Sequence, residues 1–300
     1  MSTRESIARY SIIINRLRRS PASFKEILKT LELESEIQAY NFAVSKRTFQ
    51  RDKENIESLY GIVIGFDHAR NVCYIKDDGD NESNARLLEA FDTFSALKLT
   101  HRLPQYIDYE KRRPRGTENL SGLLHAIQNN YQIYFSYKKF WNTEIRTRYV
   151  APLALKESIN RWYVVAMDLE KEEVRTFALD RLSDLIITNK KFKRPKEFNA
   201  NQMFEHSFGI IAGGDREPET VVLDIQKPQA EYIRSLPLHS SQTVLKETSN
   251  LIRFSLKLYI TEDFVREIVS HGPDVKILQP ETLIHEVKSY HQEALDLYEE

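Results

Sequence analysis

The spacing of apolar residues changes along this chain, and that change limits its fold more than any other feature. Within residues 1–60 the apolar side chains recur every three or four positions, which is the period of an amphipathic helix. Between residues 131 and 188 they alternate or run in short blocks, which is typical of β-strands. Residues 219–300 combine both patterns. The sequence therefore predicts a multi-domain α+β protein, and its 300 residues suffice for two domains or three smaller ones.

Three helices followed by a hairpin are predicted for the N-terminal region. The first helix ends before Pro21, and the second begins at Ser23, which has a glutamate at the capping-box spacing. The third helix runs from Ser45 to about Tyr60 and stops at a glycine. Two β-rich runs separated by turn residues follow, at residues 62–66 and 72–75. This order is the layout of a winged helix-turn-helix, a DNA-binding fold.

The third predicted helix has one apolar face and one polar face. The apolar face, which we expect to pack, comprises Phe49, Ile56, Leu59 and Tyr60. Side chains on the polar face suit the major groove of duplex DNA, because arginine can bond guanine and glutamine can bond adenine. A solvated amphipathic helix would carry a similar pattern. The predicted DNA-binding residues, with one from the hairpin turn, are Ser45, Lys46, Arg47, Thr48, Gln50, Arg51, Lys53 and Arg70.

Net charge differs between segments of the chain. Residues 1–60 carry a net charge of +3 and residues 117–198 one of +4, whereas residues 199–300 carry −8. Basic segments attract polyanions such as nucleic acids, although an ordinary solvated surface gives similar numbers. Residues 81–116 are expected to form a helical connector with a basic end. Linkers rich in charge, proline and glycine are more often solvated than bound to phosphate.

The middle segment is predicted to be a small, strongly bent β-barrel. One short helix, residues 118–130, precedes a series of short strands. The predicted strands are residues 131–137, 145–150, 153–156, 162–168, 174–179 and 185–188. Trp162 is expected to pack in the core of this barrel.

The middle segment contains three linked motifs, which are RYVAPL at residues 148–153, RWYVVA at residues 161–166 and RTFALDRL at residues 175–182. In sequence and spacing these motifs resemble the WYL-domain transcriptional regulators of bacteria. Val164 stands where the motif that names the family has leucine, which is a conservative difference. The similarity extends to VSKRTFQRD at residues 44–52, which resembles the recognition helix of that family, and to GPDVKILQP at residues 272–280, which resembles its C-terminal extension.

The resemblance implies an Sm-like barrel that senses a ligand, with nucleic acid such as single-stranded DNA as the leading class. Guanidinium groups bond phosphate oxygens and aromatic rings stack on bases, so the polar residues of the predicted strands suit such a ligand. The candidate ligand-binding residues are Tyr137, Arg146, Arg148, Tyr163, Arg175 and Arg181. Structural ion pairs are the alternative. If Phe177 is buried, Arg175 on the same side of its strand must lie at the rim or pair with Asp168 or Asp180.

The C-terminal segment is predicted to be a ferredoxin-like α+β domain. Residues 219–300 follow the order β-α-β-β-α-β with a final helix. Small sandwiches of this kind commonly pair with copies of themselves, so we expect a homodimer, which would fix the half-site spacing of a DNA reader. The charge of −8 argues against DNA contact by this segment.

The sequence holds little that points to catalysis, a cofactor or a metal. The glycines at residues 208–215 are not followed by Gly-Lys-Ser or Gly-Lys-Thr, and the eight histidines lie too far apart for a metal motif. Cys73 is the single cysteine and falls in a predicted strand, where a small apolar residue is expected. No stretch approaches the 18 apolar residues of a membrane span. We expect a cytoplasmic protein that is not an enzyme and needs no cofactor.

The leading hypothesis is a transcriptional regulator that binds duplex DNA and is modulated by single-stranded DNA, RNA or a nucleotide at the middle domain. The alternative is an accessory protein that binds RNA or single-stranded DNA without operator specificity. A small-molecule hydrolase or transferase is the least supported class. The predicted domains are residues 1–80 for DNA binding, 81–116 for the connector, 117–198 for the barrel and 199–300 for the extension.

Overall fold

The computed structural model describes residues 3–38, 40–77, 86, 89–90, 116–139 and 144–299. The chain divides into two compact units, residues 1–111 and residues 112–300. The predicted connector lies outside the described residues except for residues 86, 89, 90 and 116. The mixed α+β class is confirmed, whereas the predicted domain boundaries stay predictions.

The N-terminal unit contains helices followed by an antiparallel hairpin. Its elements are α1 (Thr3–Arg19), α2 (Phe24–Gln38), α3 (Lys46–Tyr60), β1 (Val63–Asp67) and β2 (Val72–Asp77). The capping box of α2 is confirmed, because the Ser23 amide donates to Glu26 Oε2 at 2.7 Å and the Glu26 amide donates to Ser23 Oγ at 3.3 Å. The limits of α3 are confirmed as well. Ser45 accepts a hydrogen bond from the Thr48 amide, and Gly61 ends the helix at φ 65°.

The chain between α1 and α2 pairs with the hairpin. The amides of Ala22 and Cys73 each donate to the carbonyl of the other residue, at 2.9 and 2.7 Å. This isolated bridge adds a third short extended segment beside β2. It also ties the start of α2 to the hairpin, and α1, α2, α3 and the hairpin together enclose one apolar core.

Leu59 does not pack as the sequence predicted, because its side chain is 53% exposed. The buried residues of α3 are Phe49, Asp52, Ile56 and Tyr60. At 3.6 residues per turn, Leu59 lies about 80° from the Phe49 direction, at the margin of this stripe. A carboxylate, Asp52, therefore occupies a place in the core for which the sequence predicted apolar residues alone.

The first part of the C-terminal unit is one antiparallel sheet with a helix against it. Its elements are α4 (Leu120–Asn129), β3 (Tyr131–Lys138), β4 (Ile145–Ser158), β5 (Arg161–Asp168), β6 (Glu173–Ala178) and β7 (Leu182–Lys191). The strand order is β6-β5-β4-β3-β7. The prediction of two strands at residues 145–150 and 153–156 was wrong, because β4 runs through both. A register shift between Pro152 and Ala154 accommodates the proline, which has no amide to donate.

Both faces of β5 are buried. Val164 and Ala166 pack with α4 and Phe177 in the core of the sheet, and Trp162 is partly buried against this core, as predicted. Tyr163 and Val165 point to the other face and are 9% and 0% exposed. Burial on both faces holds for β5, whereas Tyr149 on β4 and Ile186 on β7 are 49% and 45% exposed. Closure of the sheet into an Sm-like barrel stays a prediction.

The last part of the chain has the element order predicted for a ferredoxin-like domain. A short helix, α5 (Ala200–Phe204), precedes it. The remaining elements are β8 (Glu219–Gln226), α6 (Lys227–Ser235), β9 (Thr243–Glu247), β10 (Leu251–Leu258), α7 (Glu262–Ser270), β11 (Val275–Gln279) and α8 (Glu281–Asp296). The antiparallel sheet has the order β11-β8-β10-β9, with its core against α6, α7 and α8. Among the described residues, no helix is both long and apolar enough to cross a membrane.

Basic groups of β4 and of the C-terminal segment meet in a partly buried cluster. Lys156 Nζ lies 4.6 Å from the centre of the Phe204 ring, and burial lowers the pKa of Lys156. Burial also lowers the pKa of His239, and the charges of His206 and Lys156 act in the same direction. A hydrogen bond to the backbone of Glu205 opposes these effects. The cluster therefore favours neutral His239 in the folded protein.

We predict that acidification destabilises the C-terminal unit through His239. Because the folded-state pKa lies below the ordinary value of 6.5, the unfolded chain takes up the proton first as the pH falls. Neutral His239 contributes fully to the free energy of unfolding at pH values above the pKa that it has in the unfolded chain. This contribution is lost as the pH falls through the lower pKa that it has in the folded protein. Melting temperatures at successive pH values test this, and His239→Gln should lose less stability in acid than the wild type. His291→Gln, at an exposed position of α8, is the control, and an equal acid loss in all three proteins would contradict the prediction.

Candidate functional site

The polar face of α3 is open to solvent where the sequence predicted DNA contacts. Lys46, Arg47, Gln50 and Arg51 are exposed, while Thr48 and Lys53 are partly buried. Ser45 and Thr48 have a structural task. Their hydroxyl oxygens lie 3.1 Å apart, and Ser45 Oγ accepts from the Thr48 amide at 3.2 Å. The side chains best placed to reach a base edge are therefore the arginines and Gln50.

A groove lies between the first turns of α2 and α3 and the hairpin, and we call it the recognition groove. It encloses about 620 Å³. Phe24 and Phe49 line it with their ring centres 5.3 Å apart. Its polar side chains include Lys25, Lys46, Gln50, Lys53 and His68. Sequence reasoning missed Lys25 and His68, although the capping box at Ser23 places Lys25 in the first turn of α2.

A buried ion pair holds α3 against α1. Arg9 Nε donates to Asp52 Oδ2 at 2.7 Å and Arg9 Nη2 donates to Asp52 Oδ1 at 2.8 Å. The two side chains are 1% and 0% exposed. Asp52 lies one residue after Arg51, so this two-point contact fixes the rotation of the helix about its axis. The buried pair of Arg9 and Asp52 therefore sets the direction in which the exposed side chains of α3 project from the helix.

Arg70 lies in the hairpin turn and does not line the recognition groove. Its side chain is exposed. Asp67 Oδ1 accepts from the backbone amides of Ala69 and Arg70 at 2.9 and 3.1 Å, which holds the turn in one conformation. The turn therefore presents Arg70 at the end of the hairpin.

A second cavity, in the middle part of the chain, brings together four of the six predicted ligand-binding residues. The cavity encloses about 400 Å³, and we call it the ligand cavity. The four predicted residues that line it are Tyr137, Arg148, Arg175 and Arg181. Lys139 and Glu173 also line it, and the sequence analysis did not single out either residue. Four basic side chains thus share the cavity with one carboxylate, which favours an anionic ligand.

Arg148 is the buried charge of the ligand cavity. It is 5% exposed, and its Nη1 lies 3.7 Å from Asp168 Oδ2 and 3.9 Å from Glu170 Oε2. Both distances exceed that of a good charge-assisted hydrogen bond. Its Nε atom has no hydrogen-bond partner among the described residues. A buried guanidinium with donors left over can bond an anion that enters the cavity.

Arg175 pairs with a carboxylate that the sequence analysis did not consider. Its Nε donates to Glu173 Oε1 at 2.6 Å, on the same side of β6, and its side chain is 31% exposed. Asp168 faces Arg148 instead, and Asp180 pairs with Arg161 at 3.0 Å. Phe177 is 4% exposed and therefore buried. Arg175 lies at the rim, which is one of the two positions that the sequence left open for it if Phe177 is buried.

Comparison with known families decides what the middle segment is. A family model described as "WYL domain" matches residues 118–187. The middle segment is a WYL domain. A second model, described as "WCX domain", matches residues 217–295. These two matches confirm the resemblance in the middle and C-terminal segments, and the ligand cavity belongs to the WYL domain.

Solved structures of similar proteins are distant in sequence. Proteasome accessory factor B/C (PafBC) of Arthrobacter aurescens is 20% identical, with a TM-score of 0.37, and the match covers 94% of this chain and 45% of that chain. A CRISPR Cas-related protein is 16% identical, with a TM-score of 0.40, and the match covers 98% of this chain and 85% of that one. This chain therefore spans less than half the length of the PafBC chain. The comparison with curated proteins found no match.

Arg146 and Tyr163 lie outside the ligand cavity of the WYL domain. Arg146 shares strand parity with Arg148 but lies near the exposed start of β4, where it donates to Glu144 at 2.7 Å and this bond lowers the pKa of Glu144. Tyr163 is buried on the face of β5 opposite Val164, and burial raises its pKa. The alternation of residues along a strand predicts which face of the sheet a side chain lies on. It predicts neither how deeply the side chain is buried nor where it lies along the sheet.

The described residues offer no group of three or more metal-ligating side chains. Cys73 is buried in the N-terminal core, and burial raises the pKa of its thiol. A protonated, buried thiol is a poor nucleophile, so Cys73 acts as a small apolar residue. Both candidate sites are lined by basic and aromatic side chains, and the recognition groove also contains the Gln50 amide.

Proposed function

We propose that the protein regulates transcription by binding duplex DNA through a winged helix in its N-terminal unit. The exposed face of α3 carries this proposal, because Arg47, Gln50 and Arg51 project from a helix that is capped and anchored in the core. The order of three helices and a hairpin supports a winged helix, as does the extended segment at Ala22 beside β2. In this arrangement α3 enters the major groove and the hairpin contacts the adjacent backbone or minor groove.

The WYL domain is proposed to bind the regulatory ligand, a nucleotide or a single strand of nucleic acid. Arg148 supports an anion, because it is buried with an unused donor. The cavity volume of about 400 Å³ fits one nucleotide unit, and a longer strand would extend over the rim at Arg175. Tyr137 lines the same cavity and offers an aromatic surface, although its hydroxyl already accepts a hydrogen bond from the Ala178 amide at 3.3 Å.

Ligand binding is proposed to change DNA affinity through a homodimer. A dimer with two α3 helices would read two half-sites, and the acidic WCX domain suits contact with protein rather than with DNA. For regulation to occur, the ligand must bind one dimer arrangement more tightly than the other. The protein then acts as a binding switch, without catalytic activity.

Selection from random duplex DNA by the purified protein tests the proposed function. We expect an inverted-repeat site, and we expect a short single-stranded oligonucleotide to change its yield. No selected duplex, together with binding of the oligonucleotide, would contradict the proposal. That result would favour the accessory protein for single strands, which the basic ligand cavity also supports.

We predict that Arg148→Gln weakens binding of a short single-stranded oligonucleotide by about 1.5–3 kcal/mol, the range for hydrogen bonds to charged groups. Fluorescence anisotropy measures the affinity. Arg181→Gln, at a partly buried position in the same cavity, is a second variant in case the loss of Arg148 affects folding. Arg146→Gln is the matched control, because Arg146 lies on the same strand outside the cavity. Unchanged affinity in folded Arg148→Gln and Arg181→Gln would exclude this cavity as the ligand site.

A further inference from the structure

A second basic groove lies on the other side of the hairpin, between β2 and the end of α1. It encloses about 740 Å³, and we call it the α1-side groove. Its charged side chains are Arg18, Arg19, Arg70, Lys76 and Asp67. Val72, Tyr74 and Lys76 of the α1-side groove alternate along β2 with Cys73, which lines the recognition groove. Ile75 is the exception, because it lines the α1-side groove from the Cys73 side of the strand. The two grooves therefore lie mainly on opposite faces of one hairpin.

The α1-side groove is positive and accessible. Arg18, Arg19, Arg70 and Lys76 are all exposed. Asp67 is the one acidic residue among those that line the groove, and its Oδ1 already accepts from two backbone amides of the turn. The helix dipole accounts for basic residues at the C-terminal end of α1. It does not account for the positive charges of Arg70 and Lys76, which belong to the hairpin.

The hairpin between the grooves is thin at one point. Tyr74 pairs with Gly65 across the two strands. A Cβ at Gly65 would lie 2.8 Å from Tyr74 Cζ, so the tyrosine ring lies directly over the glycine. With no side chain at position 65, the aromatic ring can lie across the hairpin instead of standing away from it.

We propose that the α1-side groove binds phosphates of the DNA strand opposite the one that meets the recognition groove, with the turn of the hairpin at the minor groove between the two strands. This inference rests on the proposed function. A minor groove about 6 Å wide is too narrow for both strands of the hairpin, so only the turn enters it, and the grooves beside the turn meet the phosphate backbones that form its two walls. Lys46 and Lys53 of the recognition groove face one wall, and Arg18, Arg19 and Lys76 face the other. Arg70 lies in the turn, at the end of the α1-side groove, where it can meet the strong negative potential of a narrow, A·T-rich minor groove.

Duplex DNA fits the α1-side groove better than an acidic protein segment does. The recognition groove and the α1-side groove share the hairpin, so one duplex can contact both without a second partner. Phosphates spaced along two strands also match basic residues that are spread along the groove rather than gathered at one point. Binding of an acidic protein segment is therefore left as an outcome that the experiment can reveal.

The experiment compares the salt dependence of duplex binding in the full-length protein and its variants. The variants are Arg18→Gln/Arg19→Gln together, Lys76→Gln and, as the control, Lys29→Gln, whose exposed side chain on α2 lines neither groove. Fluorescence anisotropy with the selected duplex gives the slope of log K against log salt concentration. We expect the slope to fall by about 2 in the double variant and about 1 in Lys76→Gln, with no change in Lys29→Gln. Trimming the duplex on the hairpin side should remove these differences, and replacing A·T by G·C pairs there should weaken wild-type binding.

Two results would overturn this inference, and they differ in what else they affect. If the wild type binds the selected duplex and the folded variants keep its slope, the α1-side groove does not bind DNA, while the proposed function stands. If the wild type binds no duplex, the inference and the proposed function both fall. Retained slopes, together with loss of binding to an acidic protein in the variants, would assign the groove to that other class of partner.

Discussion

Replacing Asp52 by alanine is expected to destabilise the N-terminal unit by about 3–5 kcal/mol, which is the range for removing one partner of a buried ion pair. Arg9 would remain in the core, 1% exposed, without the carboxylate that accepts two of its hydrogen bonds. The effect is large because a buried guanidinium cannot recover its hydration shell while the unit stays folded. Loss of this pair also releases the contact that sets the rotation of α3.

Denaturant unfolding of the full chain measures this effect, with amide hydrogen exchange in α1 and α3 assigning the transition to the N-terminal unit. Glu54→Ala is the matched control, because it removes an acidic residue from the exposed face of the same helix. Replacing both partners by apolar residues, Arg9→Met with Asp52→Leu, should restore most of the stability. A loss in Asp52→Ala no larger than that in Glu54→Ala would contradict the structural role of the pair.

Replacing Arg47 and Arg51 by alanine is expected to weaken specific duplex binding by about 1–3 kcal/mol for each arginine. Both side chains are exposed, so the stability of the N-terminal unit should not change beyond about 0.5 kcal/mol. The two arginines lie four residues apart on one helical face and share a binding surface, so the double variant need not show the sum of the single effects. Competition by unrelated duplex DNA should increase, because base contacts carry the sequence preference.

Affinity for the selected duplex and for an unrelated duplex measures this second effect. Lys29→Ala serves as the control for loss of one exposed positive charge in the same unit. If the double variant of Arg47 and Arg51 keeps the wild-type preference for the selected duplex, α3 is not the reading helix.

Local features of the fold were predictable from the sequence because they depend on neighbouring residues. The capping box at Ser23, the cap at Ser45 and the stop at Gly61 each involve groups within four positions of one another. The same holds for the element order of the WCX domain, where period and turn residues change together. Interactions between neighbouring residues therefore made the helices and strands predictable, and the family motifs made the middle domain predictable.

Features that depend on distant residues were not predictable. Asp52 pairs with Arg9, which lies 43 positions away in the sequence. The helical spacing of Asp52 from Phe49 and Ile56 is the one feature of the sequence that places it on the buried face of α3. In the ligand cavity, strand parity grouped Arg146 with Arg148, although one is exposed and the other is buried. Which strands lie beside β4, and how far each residue lies from the strand ends, decides that difference. Those facts belong to tertiary structure.

Amide hydrogen exchange of the full-length protein, with and without the selected duplex, tests most directly whether the N-terminal unit binds DNA. The proposed function predicts slower exchange in residues 45–60 and 62–76 when the duplex is present. It predicts slower exchange around the ligand cavity, in residues 131–181, with a single-stranded oligonucleotide. Protection by the duplex in residues 131–181, with no change in residues 45–76, would contradict the proposal and place nucleic-acid binding in the WYL domain alone.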